Sequence, residues 1–309
     1  MLRSTILAAA RSPQTRRLVE QVPVTRAIVD RFVAGDGLHE AVGVTGELVS
    51  GGRRVTLDHL GEDTRDAAQA AATVDAYLAL LGALRETGLA EQAEVSVKLS
   101  AVGQFLPRDG EQVALDNAGR ICSAAADAGT TVTLDMEDHT TTDSTLGIAR
   151  ELRRDFPWLG VVLQAYLHRT EADCREFSGP GSRVRLCKGA YQEPASVAFQ
   201  SRAEVDRSYV RCLKVLMAGE GYPMVASHDP RLIRIAGQLA AWHGRKPDSF
   251  EYQMLYGVRP EEQQRLVETG ATLRVYLPYG HEWYGYFMRR LAERPANLAF
   301  FLRALATRG

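Results

Sequence analysis

TVTLDMEDHTTTDSTLGIARELRRDFPWLGVVLQAYL, residues Thr131–Leu167, reads as strand, helix and strand, and this unit decides the fold. Thr131–Glu137 and Gly160–Leu167 are short runs rich in β-branched and aromatic residues, and Thr142–Asp155 between them is helix-like, with Thr142 placed to cap it. The same alternation extends in both directions. Further candidate strands are Arg54–Leu60, Glu94–Leu99, Arg183–Ala190, Met224–His228, Phe250–Leu255 and Thr272–Leu277, which makes eight. Helix-like segments fall between them at Thr64–Thr87, Glu111–Ala128, Glu193–Ala218, Arg231–His243 and Pro260–Thr269. Thr64 is a candidate cap, and Pro260 is followed by two glutamates in the first turn. Eight alternations predict an α/β protein, a parallel (β/α)8 TIM barrel. Residues 1–50 read as an N-terminal helical segment broken by glycines, and residues 51–309 as the barrel domain.

Composition sets broad limits. A chain of 309 residues with 45% hydrophobic content can bury one large core, and its net charge of −1 favours no nucleic-acid partner. The four cysteines, Cys122, Cys174, Cys187 and Cys212, form no CxxC pair, so neither a zinc module nor a stapled secreted fold is expected, and a reducing cytoplasm fits. No uninterrupted apolar run approaches the ~20 residues of a membrane span. Arg3, Arg11, Arg16 and Arg17 precede the first acid, Glu20, as in a transit peptide, a membrane-surface helix or, more simply, an N-terminal cover helix.

Barrel enzymes place their chemistry at the C-terminal strand ends, and these ends hold residues that a core refuses. Lys98 shares a strand face with Ser96, and Asp135 shares one with Glu137. Gln164 pairs in the same way with Tyr166, and Arg185 with Cys187 and Gly189; a mid-strand arginine needs an acid or an anionic cofactor opposite it. Small residues after Lys188 let backbone approach a phosphate closely. Ser227 and His228 end the sixth strand, and Tyr276 lies on the eighth. Beyond it, Arg289 and Arg290 stand side by side on an aromatic, apolar helix, where paired guanidiniums match a carboxylate or a phosphate. Asp135, Glu137, Asp138 and His139 are potential metal ligands, but neighbouring strand residues point in opposite directions, so no metal site is expected.

Gly179–Pro–Gly–Ser–Arg–Val184 lacks the last glycine of a dinucleotide fingerprint and precedes a strand, so it reads as a turn. Phosphate-loop, zinc-protease and serine-hydrolase motifs do not occur. Two readings from other classes are a barrel aldolase with Lys98 as Schiff-base amine and a regulator that binds a ligand without turnover.

LDHLGED (57–63), VSVKLSA (95–101), TLDMED (133–138), LQAYL (163–167), VRLCKGAY (184–191), ASHD (226–229), EYQMLYG (251–257), RVYLPYG (274–280) and YFMRRLAER (286–294) together resemble the proline dehydrogenase family, over nearly the whole chain from about Thr25 onward. The resemblance implies a distorted (β/α)8 barrel that binds FAD noncovalently and oxidises L-proline to 1-pyrroline-5-carboxylate, the first step of its catabolism to glutamate. It further implies that Lys98, Arg289 and Arg290 hold the substrate carboxylate, with Asp135 near the amine and Arg185 near the flavin. Met136, Gln164, Lys188, Gly189, Ala190, Ser227 and His228 match FAD contacts, Tyr276 matches a substrate-pocket tyrosine, and Glu62 with Arg289 matches a gating ion pair. In the family a tyrosine at the position of Tyr286 accompanies proline use, whereas serine accompanies 4-hydroxyproline. Gln192 stands where longer bifunctional members often carry tryptophan. Expected partners are L-proline and a quinone or other electron acceptor. The expected location is the cytoplasm with peripheral contact at the inner membrane, and the length predicts the monofunctional form.

Overall fold

The strand pattern closes on itself. In a computed structural model, which describes residues 29–61 and 64–293 and their side chains up to Met288, eight parallel strands pair in chain order and the last pairs with the first. They are β1 (Arg54–His59), β2 (Ala93–Val97), β3 (Val132–Leu134), β4 (Gly160–Gln164), β5 (Arg183–Cys187), β6 (Tyr222–Ala226), β7 (Glu251–Leu255) and β8 (Leu273–Tyr279). Helix α1 (Leu38–Ser50) precedes the barrel. Around it run α2 (Ala67–Glu86), α3 (Gly110–Ala128), α4 (Thr142–Leu152), α5 (Thr170–Glu176), α6 (Arg202–Ala218), α7 (Pro230–Trp242) and α8 (Pro260–Glu268), and α9 (Trp283–Glu293) follows β8. The basic residues before Glu20 and the position of Glu62 lie outside the described residues.

Period-2 alternation divides each strand between two environments. Val55, Leu57, Val95, Val97, Leu134, Val161, Leu163, Leu186 and Leu277 are buried in the apolar layer shared with Leu80, Leu81, Leu84 and Ile121 of the helices. Each such side chain contributes roughly 1.5–3 kcal/mol by leaving water. Barrel interiors are usually filled by branched apolar residues, but here Thr56, Glu94, Ser96, Arg185, Glu251, Gln253 and Arg274 bond to one another across the barrel. Helix α2 is long and apolar enough to cross a membrane by length and composition, yet it packs Tyr77, Leu80, Leu81 and Leu84 into the core.

Several boundaries differ from expectation. Strands β2 to β6 stop two or three residues before the predicted ends, so Lys98, Asp135, Lys188, Ser227 and His228 sit just beyond the ladder, where the backbone is free to turn toward the mouth. Asp66 caps α2 in place of Thr64, accepting from the amides of Ala68 and Gln69. Thr142 is the first residue of α4 and not its cap; Asp138 instead caps the short 3-10 turn His139–Thr141 that leads into it. The helix expected from Glu193 begins only at Arg202, where Ser201 and Glu204 form a capping box. Helix α5 was not expected, because seven residues are too few to show a period.

Candidate active site

The polar layers inside the barrel rise from a buried ion network to a second, nearly buried cluster at the mouth. Glu94 of β2 accepts from Arg183 at 2.7 Å and Thr56 at 2.8 Å, and it lies within 3.8 Å of Arg274. Burial alone raises such a carboxyl, but Arg183, Arg274 and Arg185 together outweigh it and hold Glu94 far below the usual carboxylate range. Glu251 of β7 accepts from Arg274 at 2.7 and 3.2 Å and is lowered in the same way against its own burial.

Arg185 joins this base to the mouth. Its Nε donates to Gln253 at 2.6 Å, while Nη1 donates to Ser96 at 2.9 Å and to Asp135 at 2.8 Å. Nη2 donates at 3.4 Å to both Thr56 and Glu94, so donors on all three guanidinium nitrogens are engaged and the group is fixed in place. The expected acid opposite the arginine is present twice, as Asp135 and as Glu94.

Asp135 is the meeting point of the layer at the mouth. It accepts from the Tyr276 hydroxyl at 2.6 Å, and Lys98 Nζ stands 3.8 Å from it. The Tyr276 ring lies under the Arg185 guanidinium at 5.3 Å, and burial, reinforced by Asp135, keeps its hydroxyl protonated well above the ordinary range. The structure therefore brings together Lys98, Asp135, Arg185 and Tyr276. It adds Asp58, which the sequence reading passed over: both its oxygens accept from Lys98 Nζ, at 2.6 and 2.7 Å. Burial raises the Asp58 carboxyl above its ordinary value even against Lys98. An acid sharing a strand face with Thr56 was the available signal, because apolar packing would not select it.

Glu137, by contrast, turns to the backbone and hydroxyl of Ser100, Asp138 caps a turn, and His139 meets Glu193. The four residues weighed as metal ligands thus point to different partners.

The other expected contacts ring the mouth from β3 to β6. Met136 and Gln164 are buried, the latter donating to the Glu137 carbonyl at 2.6 Å. Lys188, Gly189 and Ala190 are half-buried after β5. Gly189 has φ 108°, and a Cβ there would lie 2.4 Å from the Tyr166 ring, so only glycine lets this backbone lie flat. Lys188 Nζ pairs with Asp206 at 2.5 Å and Asp229 at 3.2 Å, and Arg231 binds the same two carboxylates. Ser227 Oγ accepts from the Asp229 amide at 3.1 Å. His228 Nε2 accepts from the Leu255 amide at 2.9 Å, which places the neutral ring's proton on Nδ1. Tyr286 is buried on α9; Arg289 and Arg290 follow on that helix, their side chains outside the described set.

A family model described as proline dehydrogenase matches residues 42–303. The chain belongs to the proline dehydrogenase family. It is 39% identical over 307 residues to proline dehydrogenase of Deinococcus radiodurans, covering 99% of this chain and 98% of that one. It is 40% identical over 281 residues to proline dehydrogenase 1 of Bacillus subtilis, covering 91% of each. Against the bifunctional protein PutA of Escherichia coli identity falls to 26%, over 26% of that protein's length, so the likeness is to the monofunctional type. Among solved structures, proline utilization A from Bdellovibrio bacteriovorus inactivated by N-propargylglycine superposes with a TM-score of 0.79 at 24% identity. The chain spans 32% of that structure's chain, and the likeness is one of fold.

Proposed function

We propose that the protein is an FAD-dependent proline dehydrogenase that oxidises L-proline to 1-pyrroline-5-carboxylate, with electrons passed on to a quinone or another acceptor. The observation that carries this reading is the convergence of Lys98, Asp135, Arg185 and Tyr276 at the C-terminal mouth of a closed parallel barrel. The residues around the mouth suit a flavin dinucleotide: a fixed guanidinium, the buried amide of Gln164 and a glycine backbone without a Cβ beside Ala190. Met136, Gln164, Lys188, Gly189, Ala190, Ser227 and His228 would hold it. When bound, FAD supplies the two-electron acceptor for hydride from the substrate carbon beside the ring nitrogen.

The chain's own residues bind and orient. Lys98, Arg289 and Arg290 offset the substrate carboxylate, Tyr276 shapes the pocket, and Asp135 receives the amine side of the ring. Arg185, locked by five acceptors, presents a fixed positive charge where negative charge develops, at little reorganisation cost. Glu62 and Arg289 would close the site over the substrate.

A Schiff-base aldolase needs a neutral lysine amine, and the two-oxygen grip of Asp58 on Lys98 favours the ammonium instead. Tyr286 supports proline over 4-hydroxyproline as substrate. A cytoplasmic location with peripheral membrane contact accords with electron delivery to a quinone. The test is a steady-state assay with L-proline and an artificial electron acceptor. Proline-dependent reduction with 1-pyrroline-5-carboxylate as product is expected, and absence of both would rule the reading out.

A further inference from the structure

Glu193 lies on the long connection between β5 and α6, and its side chain is 3% exposed. Oε1 accepts from the His139 amide at 3.0 Å and from the Tyr166 hydroxyl at 3.1 Å, while Oε2 meets His139 Nδ1. Its carbonyl accepts from Gln200 Nε2 at 3.2 Å. A buried carboxylate is tolerated when its oxygens are satisfied, and here its partners come from two connections of the mouth, those after β3 and β4, while Glu193 itself stands on the one after β5.

Tyr166 is the second half of the arrangement. Its amide donates to the Lys188 carbonyl at 2.9 Å, its carbonyl accepts from Phe199 at 2.8 Å, and its ring carries the Gly189 backbone. The stretch Lys188–Ala190 is therefore held from below by Tyr166 and from its far end by Glu193. Only Tyr191 and Gln192 separate Ala190 from that anchor, and at about 3.3–3.6 Å per residue they leave little slack.

We propose that Glu193 is a positioning residue for the cofactor. Through His139 and Tyr166 it latches the connection after β5, so that the Lys188–Gly189–Ala190 backbone is preset before FAD arrives. This rests on the FAD reading above. Without the latch, binding must order the connection at the moment of association, which weakens affinity.

The test is FAD titration of cofactor-free protein by flavin fluorescence, for the wild type, E193A and the closer-shaped E193Q, with limited proteolysis of the same cofactor-free samples. Removing charge-assisted hydrogen bonds of this kind predicts FAD dissociation constants raised about tenfold or more in E193A, with E193Q between it and wild type. It also predicts faster cleavage within residues 188–201 and an unchanged melting transition for the remainder of the chain. An E193A constant within about twofold of wild type would overturn the proposal, as would weakening that only tracks general unfolding. Should E193A fail to fold, E193Q decides by the same two criteria. Should the wild type bind no FAD, the flavin reading and the cofactor role fall together, whereas equal cleavage of wild type and E193Q removes the latch by itself.

Discussion

Lys98 and Asp58 show what one ion pair does at a barrel mouth. Both side chains are buried, at 9% and 1% exposure, so neither charge is screened by water. Asp58→Asn is expected to release Lys98 from its present position and to lower kcat/KM for proline by about 10- to 100-fold, mainly through KM. A KM within about twofold of wild type would show that Asp58 does not set the lysine. Lys98→Met is the harsher change, since it leaves the Asp58 carboxyl buried without its cation, a loss of about 3–5 kcal/mol. Chemical denaturation of the two variants separates these effects. Lys98, Asp135 and Arg185 were legible in the sequence because strand alternation marks polar residues at the mouth, and Tyr276 only through the family resemblance. Of their partners, Gln253 and Glu94 were not legible, because Arg185 reaches them across the closed barrel from strands that do not neighbour β5, whereas Asp58 lies on β1 beside β2 and was marked only as an acid sharing a strand face with Thr56.

At the scale of elements, eight strands were legible from β-branched runs, and the ends of β2 to β6 were overestimated because extended backbone continues past the last ladder bond. The connection from Glu193 to Gln200 was read as helix, and its residue types suit one. What overrides the local preference is tertiary: Glu193 is drawn to His139 and Tyr166, and Leu167 pairs with Ala198 in an isolated bridge. Helix α9 carries the proposed selection of substrate. Arg290→Met is expected to raise the proline KM by at least about tenfold, the order of one charge-assisted contact. Tyr286→Ser is expected to shift preference toward 4-hydroxyproline by making room for its hydroxyl. Competition kinetics with both amino acids check the second point, and an unchanged ratio of kcat/KM would remove Tyr286 from specificity.

Over the whole molecule, the interior network couples stability to pH. Glu94 and Glu251 are both held below the ordinary carboxyl value of 4.5, so their contribution is present above about that pH and is lost as acid titrates the folded state. Asp58 acts in the opposite sense: its raised value means that protonation relieves a buried charge and offsets part of the loss. The expected net result is a lower urea midpoint at about pH 3.5 than at about pH 7, with the stability gap between wild type and Glu94→Gln narrowing on acidification. A gap that stays constant with pH would mean that the network contributes nothing through charge. Polar layers inside a barrel cost desolvation, and the return here is a fixed Arg185 at the mouth. The mouth is proposed to hold a flavin and to deliver proline to it. The most direct test is the visible absorbance spectrum of the purified protein reconstituted with FAD, before and after anaerobic addition of L-proline. Protein-bound flavin bands that bleach with proline are expected; bands that do not form, or that persist unchanged in excess proline, would contradict a flavin-dependent proline oxidation at this mouth.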